Sequence, residues 1–261
     1  MSLSDTTYIR RFFSLYSTEE KEKIRGHAFY QTDYLSALLP EGVARVGVLR
    51  SPHPGAEFTK INTSKAEKVK GVLRVITARD IPNNTSFGSR TGGQLILSEG
   101  KVRYKGEPVA LVVAENPAAI AEGIAAISID WKPVQLPEVE VVQTVSHKTG
   151  RPSRDTFKQI KTPFHFPSLQ TRYLESECGW VKFSEDTLEF NIGALLSESQ
   201  RVWVSQVLGV PVTKILAKES PLGGQFGGRQ QRELLVFLAL ASFLTKQSVS
   251  LHFTPEEQDI G

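Results

Sequence analysis

The sequence predicts a mixed α/β protein, of the α+β kind, organised in two domains. Three observations predict this fold class: a strand–helix–strand pattern at 108–131, a strand–glycine loop–helix pattern at 212–245, and a stretch with four prolines at 132–163 that separates them. The 261 residues suffice for two domains of ordinary size. Hydrophobic residues make up 40% and charged residues 23% of the chain, which is typical of a soluble globular protein.

In the first part of the chain, turn residues separate the predicted strands. Residues 1–24 are interpreted as an N-terminal arm, and the first domain is placed at 25–140. Apolar, β-branched runs predict strands at 42–50 and 71–80, and the sequence SPHPG between them predicts a turn. A long polar loop is predicted at 81–93.

The clearest local unit of this domain begins at "PVALVVA" (108–114), a continuous apolar run that predicts a buried strand. Asn116 is placed to cap a following helix, with Pro117 at the first helical position, where a missing N–H costs nothing. Isoleucines then recur at helical spacing on one face. The sequence "SIDW" (128–131) predicts a returning strand.

The second domain follows a connector. Residues 141–164 are interpreted as the connector and 165–261 as the domain. Ser197 and Gln200 form a capping-box pattern at the start of a helix, and Gly209 stands where that helix is expected to end. The other predicted elements are a hairpin of strands at 178–183 and 187–192, a strand at 212–220, a helix from about Arg229 to Thr245, and a strand at 248–253.

Charge and cysteine content exclude several function classes. The net charge of +3, from 31 basic and 28 acidic residues, is too even for a nucleic-acid or membrane-surface partner. The single cysteine, Cys178, excludes an internal disulfide and any cysteine-based zinc or iron–sulfur site made by this chain alone. The five histidines lack metal-ligand spacing, so no metal ligand is assigned. Without a secretion signal or a long apolar run, a cytoplasmic location is expected.

The stretch "GGQFGG" (223–228) lies between a predicted strand and a predicted helix. Because glycine has no Cβ, the backbone N–H groups of such a loop can approach a ligand at a helix N-terminus. Arg229 adds a charged donor that suits a nearby anion. The motif is neither a P-loop nor the dinucleotide-binding fingerprint. Two interpretations therefore stay open: a ligand cradle, or a tight turn that packs Phe226 into the core.

The sequence "GGQFGGR" (223–229) resembles the G-G-x-F-G-G-K motif of the molybdenum hydroxylases, the xanthine dehydrogenase/aldehyde oxidase family. Further segments resemble the same family, in the family's order, over about 25–261. They include "GHAFYQTDY" (26–34), "VRYKGEPVALVVAENPAAIAEGIAAISIDW" (102–131) and "YLESECGWVKF" (173–183). The resemblance implies an α/β-hammerhead domain followed by the first part of a molybdopterin-binding domain.

The resemblance also implies a chemistry and a set of partners. Enzymes of this family are oxidoreductases that hydroxylate a carbon with oxygen from water, and a molybdenum–molybdopterin cofactor accepts the two electrons. The expected partners are the remaining molybdopterin chain and iron–sulfur and flavin subunits. Gln230 is carried over as a substrate-orienting position. The cofactor-binding positions carried over are Gly223, Gly224, Gln225, Phe226, Gly227, Gly228 and Arg229.

No catalytic residue is assigned. The family's catalytic glutamate lies near the C-terminus of longer chains, so turnover is expected to need further chain or a partner subunit. Glu175, Glu185 and Glu233 are expected to be solvated carboxylates and not bases.

Departures from the family pattern support other hypotheses. Leu195 stands where xanthine-type enzymes have a glutamine that hydrogen-bonds a molybdenum oxo group. Thr171 replaces a common histidine, and Pro255 replaces the usual arginine. One alternative is therefore a non-catalytic relative that acts as a binding, assembly or scaffold protein without bound molybdenum. Another is a binder of a phosphate ligand that uses the glycine loop alone.

Overall fold

The computed structural model describes residues 21–22, 24–26, 30–33, 39–88, 93–135, 162, 164–166, 173–192, 196–219, 223–229 and 233–260. Most of the predicted arm and connector, and the positions Thr171, Leu195 and Gln230, lie outside the described residues.

Twelve strands and five helices carry the labels used below. The strands are β1 (Ala44–Arg50), β2 (Ala56–Asn62), β3 (Val72–Thr77), β4 (Ser86–Phe87), β5 (Gln94–Leu95), β6 (Lys101–Val102), β7 (Pro108–Ala114), β8 (Ser128–Pro133), β9 (Cys178–Ser184), β10 (Thr187–Ile192), β11 (Ile215–Glu219) and β12 (Val249–His252). The helices are α1 (Gln31–Asp33), α2 (Pro117–Ala126), α3 (Glu198–Leu208), α4 (Glu233–Thr245) and α5 (Pro255–Ile260). Single 3₁₀ turns lie at Ala66–Lys68, Ala78–Asp80 and Val212–Lys214.

A seven-stranded sheet is the largest layer, and it runs through both predicted domains. Its strand order is β11-β10-β9-β12-β1-β7-β3. β12 lies parallel to β1, with Ala44 opposite Val249, and β10 lies parallel to β11, while the other neighbours are antiparallel. The pairing of β12 with β1 joins strands that are about two hundred residues apart in sequence, so the strands of 25–140 and 165–261 form one hydrogen-bonded sheet.

The side chains of β7 alternate between two buried faces, which explains why the sequence of this strand is apolar throughout. Leu111 and Val113 face the main core, which includes α4, whereas Ala110 and Val112 face the cluster under α2. Since helices cover both faces, every residue of this strand is buried. The predicted strand at 108–114 is therefore confirmed with its bounds.

The predicted strand–helix–strand unit needs a correction in its last step. β8 does form after α2, but it joins β2 and β6 in a separate three-stranded sheet and does not return beside β7. β2 was not predicted, because its exposed positions, among them Glu57 and Lys60, interrupt the apolar pattern. Ala56 and Phe58 point inward and are buried, and Phe58 packs on Trp131 of β8.

The predicted polar loop at 81–93 was also wrong in part. Ser86 and Phe87 form a short strand that pairs with β5. Phe87 is buried and packs edge-on against Trp203 of α3. Phe87 and the buried Ile81 together anchor this polar stretch to the core.

Helix ends follow the predicted capping chemistry. The Asn116 side chain accepts a hydrogen bond from the Ala119 N–H at 2.9 Å. Ser197 and Gln200 form the reciprocal capping box, and Gly209 ends α3 in the left-handed conformation with φ 68°. Pro255, where the family resemblance led us to expect arginine, is the first residue of α5, a position that proline favours.

Helix α4 forms the centre of the main core. Its residues from Leu234 to Ala241 are fully buried, because the helix packs on β9 and β12 and against α3. A helix that is apolar all round is expected to be enclosed on all sides. Among the described helices, none has the length and apolar character that crossing a bilayer requires.

Candidate functional site

The glycine loop, residues 223–229, lies between edge strand β11 and central helix α4. The predicted strand at 212–220 begins later than expected, since Val212–Lys214 form a 3₁₀ turn and the strand runs over Ile215–Glu219. Arg229 lies in a turn, and the described part of the predicted helix runs over Glu233–Thr245. Arg229 is thus not itself in a helical conformation.

The loop is exposed at its centre. Phe226 is 71% exposed and has a φ of 43°, which is rare for a residue with a side chain. The interpretation that this phenylalanine packs into the core is therefore wrong. Residues 225–228 are all exposed, so the centre of the loop is accessible to solvent.

The loop glycines serve two different purposes. A Cβ on Gly227 would meet no atom within 4 Å, and its φ of +84° suits glycine. By contrast, a Cβ on Gly223 would overlap Glu175, and one on Gly224 or Gly228 would lie 3.2 or 2.9 Å from Tyr173. Internal packing thus excludes a side chain at Gly223 and disfavours one at Gly224 and Gly228, and Gly227 alone among these four faces open space.

The hydrogen bonds of the loop amides divide the glycines differently, because Gly224 now groups with Gly227. The Gly223 N–H donates to Glu175 Oε2 at 2.7 Å, and the Gly228 N–H donates to the Gln225 carbonyl at 2.8 Å. Within the part of the chain that the structure describes, the N–H groups of Gly224 and Gly227 donate no hydrogen bond. The loop therefore offers two backbone donors on residues that carry no side chain.

Arg229 points into the protein. Its side chain is 1% exposed, and its guanidinium lies 4.2 Å from the centre of the Tyr173 ring. Nη2 donates to the Glu175 carbonyl at 2.6 Å, and Nη1 lies 3.4 Å from Glu175 Oε2. The anion that explains a basic residue beside the loop is thus a carboxylate of the same chain.

Glu175 and Glu233 are not the solvated carboxylates that the sequence suggested. Glu175 is buried against Arg229, and Glu233 is buried in an ion pair with Arg50 at 3.0 Å. Glu185 does lie in an exposed turn. Sequence reasoning missed Glu175 as a partner of the loop, although the "YLE" segment that contains it resembles the family.

A second buried network lies where α4 begins. Gln94 Nε2 donates to Glu233 Oε1 at 2.8 Å, and Arg50 also donates to the Gly106 carbonyl at 3.0 Å. Burial raises the pKa of the Glu233 carboxyl, an effect that Arg50 opposes and the charge of Glu177 reinforces. This network fixes the first turn of the helix that follows the glycine loop.

No group of three or more His, Cys, Asp or Glu side chains with the arrangement of a metal site occurs among the described residues. Cys178 is buried in β9.

Two family models match the chain. One, described as the aldehyde oxidase and xanthine dehydrogenase a/b hammerhead domain, matches residues 25–135. The other, described as the molybdopterin cofactor-binding domain, matches residues 139–260, which include the whole glycine loop.

Curated relatives are longer than this chain. A probable xanthine dehydrogenase subunit of Bacillus subtilis is 29% identical over 89% of the chain, which spans 34% of that protein. The nicotinate dehydrogenase large molybdopterin subunit of Eubacterium barkeri is 25% identical over 90% of the chain, which spans 59% of that protein. The chain therefore spans between about a third and three fifths of these two relatives.

Solved structures show the same fold at lower identity. Quinoline 2-oxidoreductase from Pseudomonas putida 86 gives a TM-score of 0.75 at 20% identity and covers 92% of this chain, which corresponds to 34% of that chain. Aldehyde oxidoreductase from Desulfovibrio gigas gives a TM-score of 0.70 at 17% identity, over 92% of this chain and 30% of that one. The mixed α/β fold expected from the sequence is confirmed.

Proposed function

The chain belongs to the xanthine dehydrogenase and aldehyde oxidase family, and from that premise we propose that it forms one wall of the molybdopterin site of an oxidoreductase. The observation that carries this proposal is the exposed backbone edge at Phe226 and Gly227, which lies inside the range matched by the molybdopterin cofactor-binding domain. When bound, a molybdenum–pterin group would supply the two-electron oxidation of the substrate carbon. The chain itself supplies the shape of one side of the site.

The residues present fit such a group on their outer side. Gly227 leaves open space where a side chain would stand, and the Gly224 and Gly227 amides are donors without an internal acceptor in the described part of the chain. Backbone donors of this kind suit a ligand with polar or anionic groups. Arg229 acts from inside the loop, so we assign it to shaping the wall and not to contacting the cofactor. Gln230 remains a proposed substrate-orienting position.

Retention of cofactor tests this proposal. Gly227→Ala places a methyl group on the exposed edge at a φ of +84°, and Gly42→Ala is a matched control because Gly42 has a φ of +76° and equally open surroundings. Both variants carry a similar backbone strain of about 1–2 kcal/mol. In enzyme assembled with the remaining molybdopterin chain, we expect only Gly227→Ala to lower the bound molybdenum and pterin. Equal contents in the two variants would contradict the proposal.

Turnover, in this proposal, requires more than the chain itself. Two observations support this: the relatives are longer, and each of the two curated relatives is named as one subunit of a dehydrogenase. Iron–sulfur and flavin partners are part of the proposal through the family resemblance. Co-expression with neighbouring genes, followed by size-exclusion chromatography and metal analysis, provides the test. A chain that recovers no partner and no pterin under these conditions would speak strongly against a role in turnover.

A second candidate, a non-catalytic relative that serves binding or assembly, is favoured by Leu195. Leucine cannot donate the hydrogen bond that a glutamine gives at this position in the resemblance. If the assembled complex is inactive and gains activity on Leu195→Gln, the non-catalytic candidate is supported. A wild-type complex that turns over, and whose rate does not change on this substitution, would rule the candidate out.

A further inference from the structure

We propose that Glu175 is a positioning residue that fixes the conformation of the glycine loop (223–229), with Arg229 as its internal counter-ion. The functional meaning of this proposal rests on the proposed molybdopterin site. The structural part of the proposal is that the buried Glu175 carboxylate determines the position of the exposed part of the loop. This part can be tested without any cofactor.

Both ends of the loop converge on this one residue. Glu175 Oε2 accepts the Gly223 N–H at 2.7 Å and lies 3.4 Å from Arg229 Nη1. The Glu175 carbonyl accepts a hydrogen bond from Arg229 Nη2 at 2.6 Å. The first and last described residues of the loop are therefore tied to the same point, and the central residues project away from it.

Burial makes these contacts strong and specific. The side chains of Glu175 and Arg229 are 5% and 1% exposed. Hydrogen bonds with ionised partners are stronger than neutral ones, and a buried charge that loses its partner carries a large penalty. The Tyr173 ring, 4.2 Å from the guanidinium, closes the other side of the pair. An alternative loop conformation would have to break this ion pair or the hydrogen bonds between the loop and Glu175.

The glycines of the loop are fitted to the segment 173–175. Gly223 lacks the Cβ that would overlap Glu175, while Gly224 and Gly228 lack the Cβ atoms that would crowd Tyr173. The loop thus packs closely on this segment. A Cβ at Gly227, by contrast, would meet no atom within 4 Å, and this residue is exposed.

Two substitutions distinguish the effect of the Glu175 side chain's length from the effect of its charge. Glu175→Asp keeps the charge near Arg229 but withdraws the carboxylate by one methylene, so the Gly223 N–H loses its acceptor. Glu175→Gln keeps the reach and an acceptor oxygen but removes the charge. Glu122→Gln, at an exposed position of α2, is the control for a change of glutamate elsewhere.

The measurement is hydrogen exchange of the Gly223 amide, by NMR on the full chain labelled with ¹⁵N-glycine and ¹⁵N-leucine. We expect Glu175→Asp to speed exchange at Gly223 by about tenfold or more, since a hydrogen bond to a charged acceptor is lost. Glu175→Gln keeps an acceptor for the Gly223 N–H but removes this counter-ion of Arg229, so it should restore only part of the protection, and the leucine amides of α4 should not change. Gly223 exchange that is the same in wild type and Glu175→Asp, with the fold intact, would overturn the proposal.

If both variants fail to fold, the proposal can still be tested by comparing two amides within the wild-type protein. The Gly223 amide should be protected and the Gly227 amide should exchange freely, and the reverse order would also overturn the proposal. In assembled enzyme, pterin content reports separately on function. Faster exchange at Gly223 supports the positioning role whatever the cofactor content, whereas a wild-type complex without pterin would contradict only the proposed molybdopterin site.

Discussion

Arg50 Nη2, at the end of β1, lies 3.0 Å from Glu233 Oε2, at the start of α4. The two side chains are 9% and 11% exposed, and they are 183 positions apart in sequence. The pair connects the first strand of the main sheet to the helix that follows the glycine loop. Because the Arg50 guanidinium also lies 5.3 Å from the centre of the Phe253 ring, three distant segments meet at this point.

Replacement of Arg50 should strongly destabilise the fold. Arg50→Leu leaves the Glu233 carboxylate buried without its counter-ion, which we expect to lower the free energy of unfolding by about 3–5 kcal/mol at pH 7. Arg79→Leu is the matched control, because Arg79 pairs with Glu99 at 3.7 Å while both side chains are more than half exposed. That surface pair should be worth less than about 1 kcal/mol. The measurement is urea unfolding of both variants. Equal losses in the free energy of unfolding would show that burial does not strengthen the Arg50–Glu233 ion pair.

The stability effect of Glu233 should depend on pH. Burial raises the pKa of its carboxyl above the ordinary value of 4.5, so the folded state holds this proton more tightly than the unfolded state. The contribution of Glu233 to stability is therefore fully present below pH 4.5 and declines as the pH rises towards the raised pKa. Relative to Glu233→Gln, the wild type should lose stability over this window. Unfolding midpoints of both proteins, measured from about pH 4 to about pH 8, would refute this if their difference were constant.

The cap of α2 should contribute a measurable share of stability. Asn116→Ala removes the acceptor of the Ala119 N–H, and we expect a loss of about 1 kcal/mol. Asn116→Asp keeps an oxygen in the same place and should recover most of it. Chemical denaturation of the two variants distinguishes a capping role from a general effect of substitution at this turn.

The side chain of Phe226 should be dispensable for folding. Since it is 71% exposed, Phe226→Ala should change the free energy of unfolding by no more than about 0.5 kcal/mol. Phe237→Ala, in the fully buried part of α4, should cost about 3–5 kcal/mol. A large loss for Phe226→Ala would revive the interpretation that this residue packs into the core.

His252, at the end of β12, should titrate below its ordinary range. Partial burial lowers its pKa below 6.5, Glu257 opposes this shift, and Arg45 adds to it. Because the unfolded state takes up the proton first, its contribution to stability is present above pH 6.5 and is lost as the pH falls through the lowered pKa. An NMR titration should give a midpoint under 6.5 that falls further in Glu257→Gln. A midpoint at or above the ordinary value would contradict this assignment.

Local elements of the fold and the position of the loop could be predicted from sequence, because their causes lie within a few residues. Asn116 caps a helix through an amide three residues away, the Ser197–Gln200 box spans one turn, and the apolar run at 108–114 forms a strand with the expected bounds. The order of matching segments also identified the family. These signals are short-range propensities and patterns, which act before any tertiary contact exists.

Tertiary structure alone decided which side of the loop faces out and which groups hold it. Glu175 and Arg229 are 54 positions apart and Arg50 and Glu233 are 183 apart, so no local pattern reveals that they are paired. From its place in the chain, Arg229 is expected to donate to a ligand, yet its guanidinium is buried on Glu175 and Tyr173. The sequence determines that glycines stand at 223, 224, 227 and 228. Only the packing of distant segments beneath the loop determines that Gly227 is the one left facing open space, because a Cβ is excluded by neighbours that the fold alone brings near.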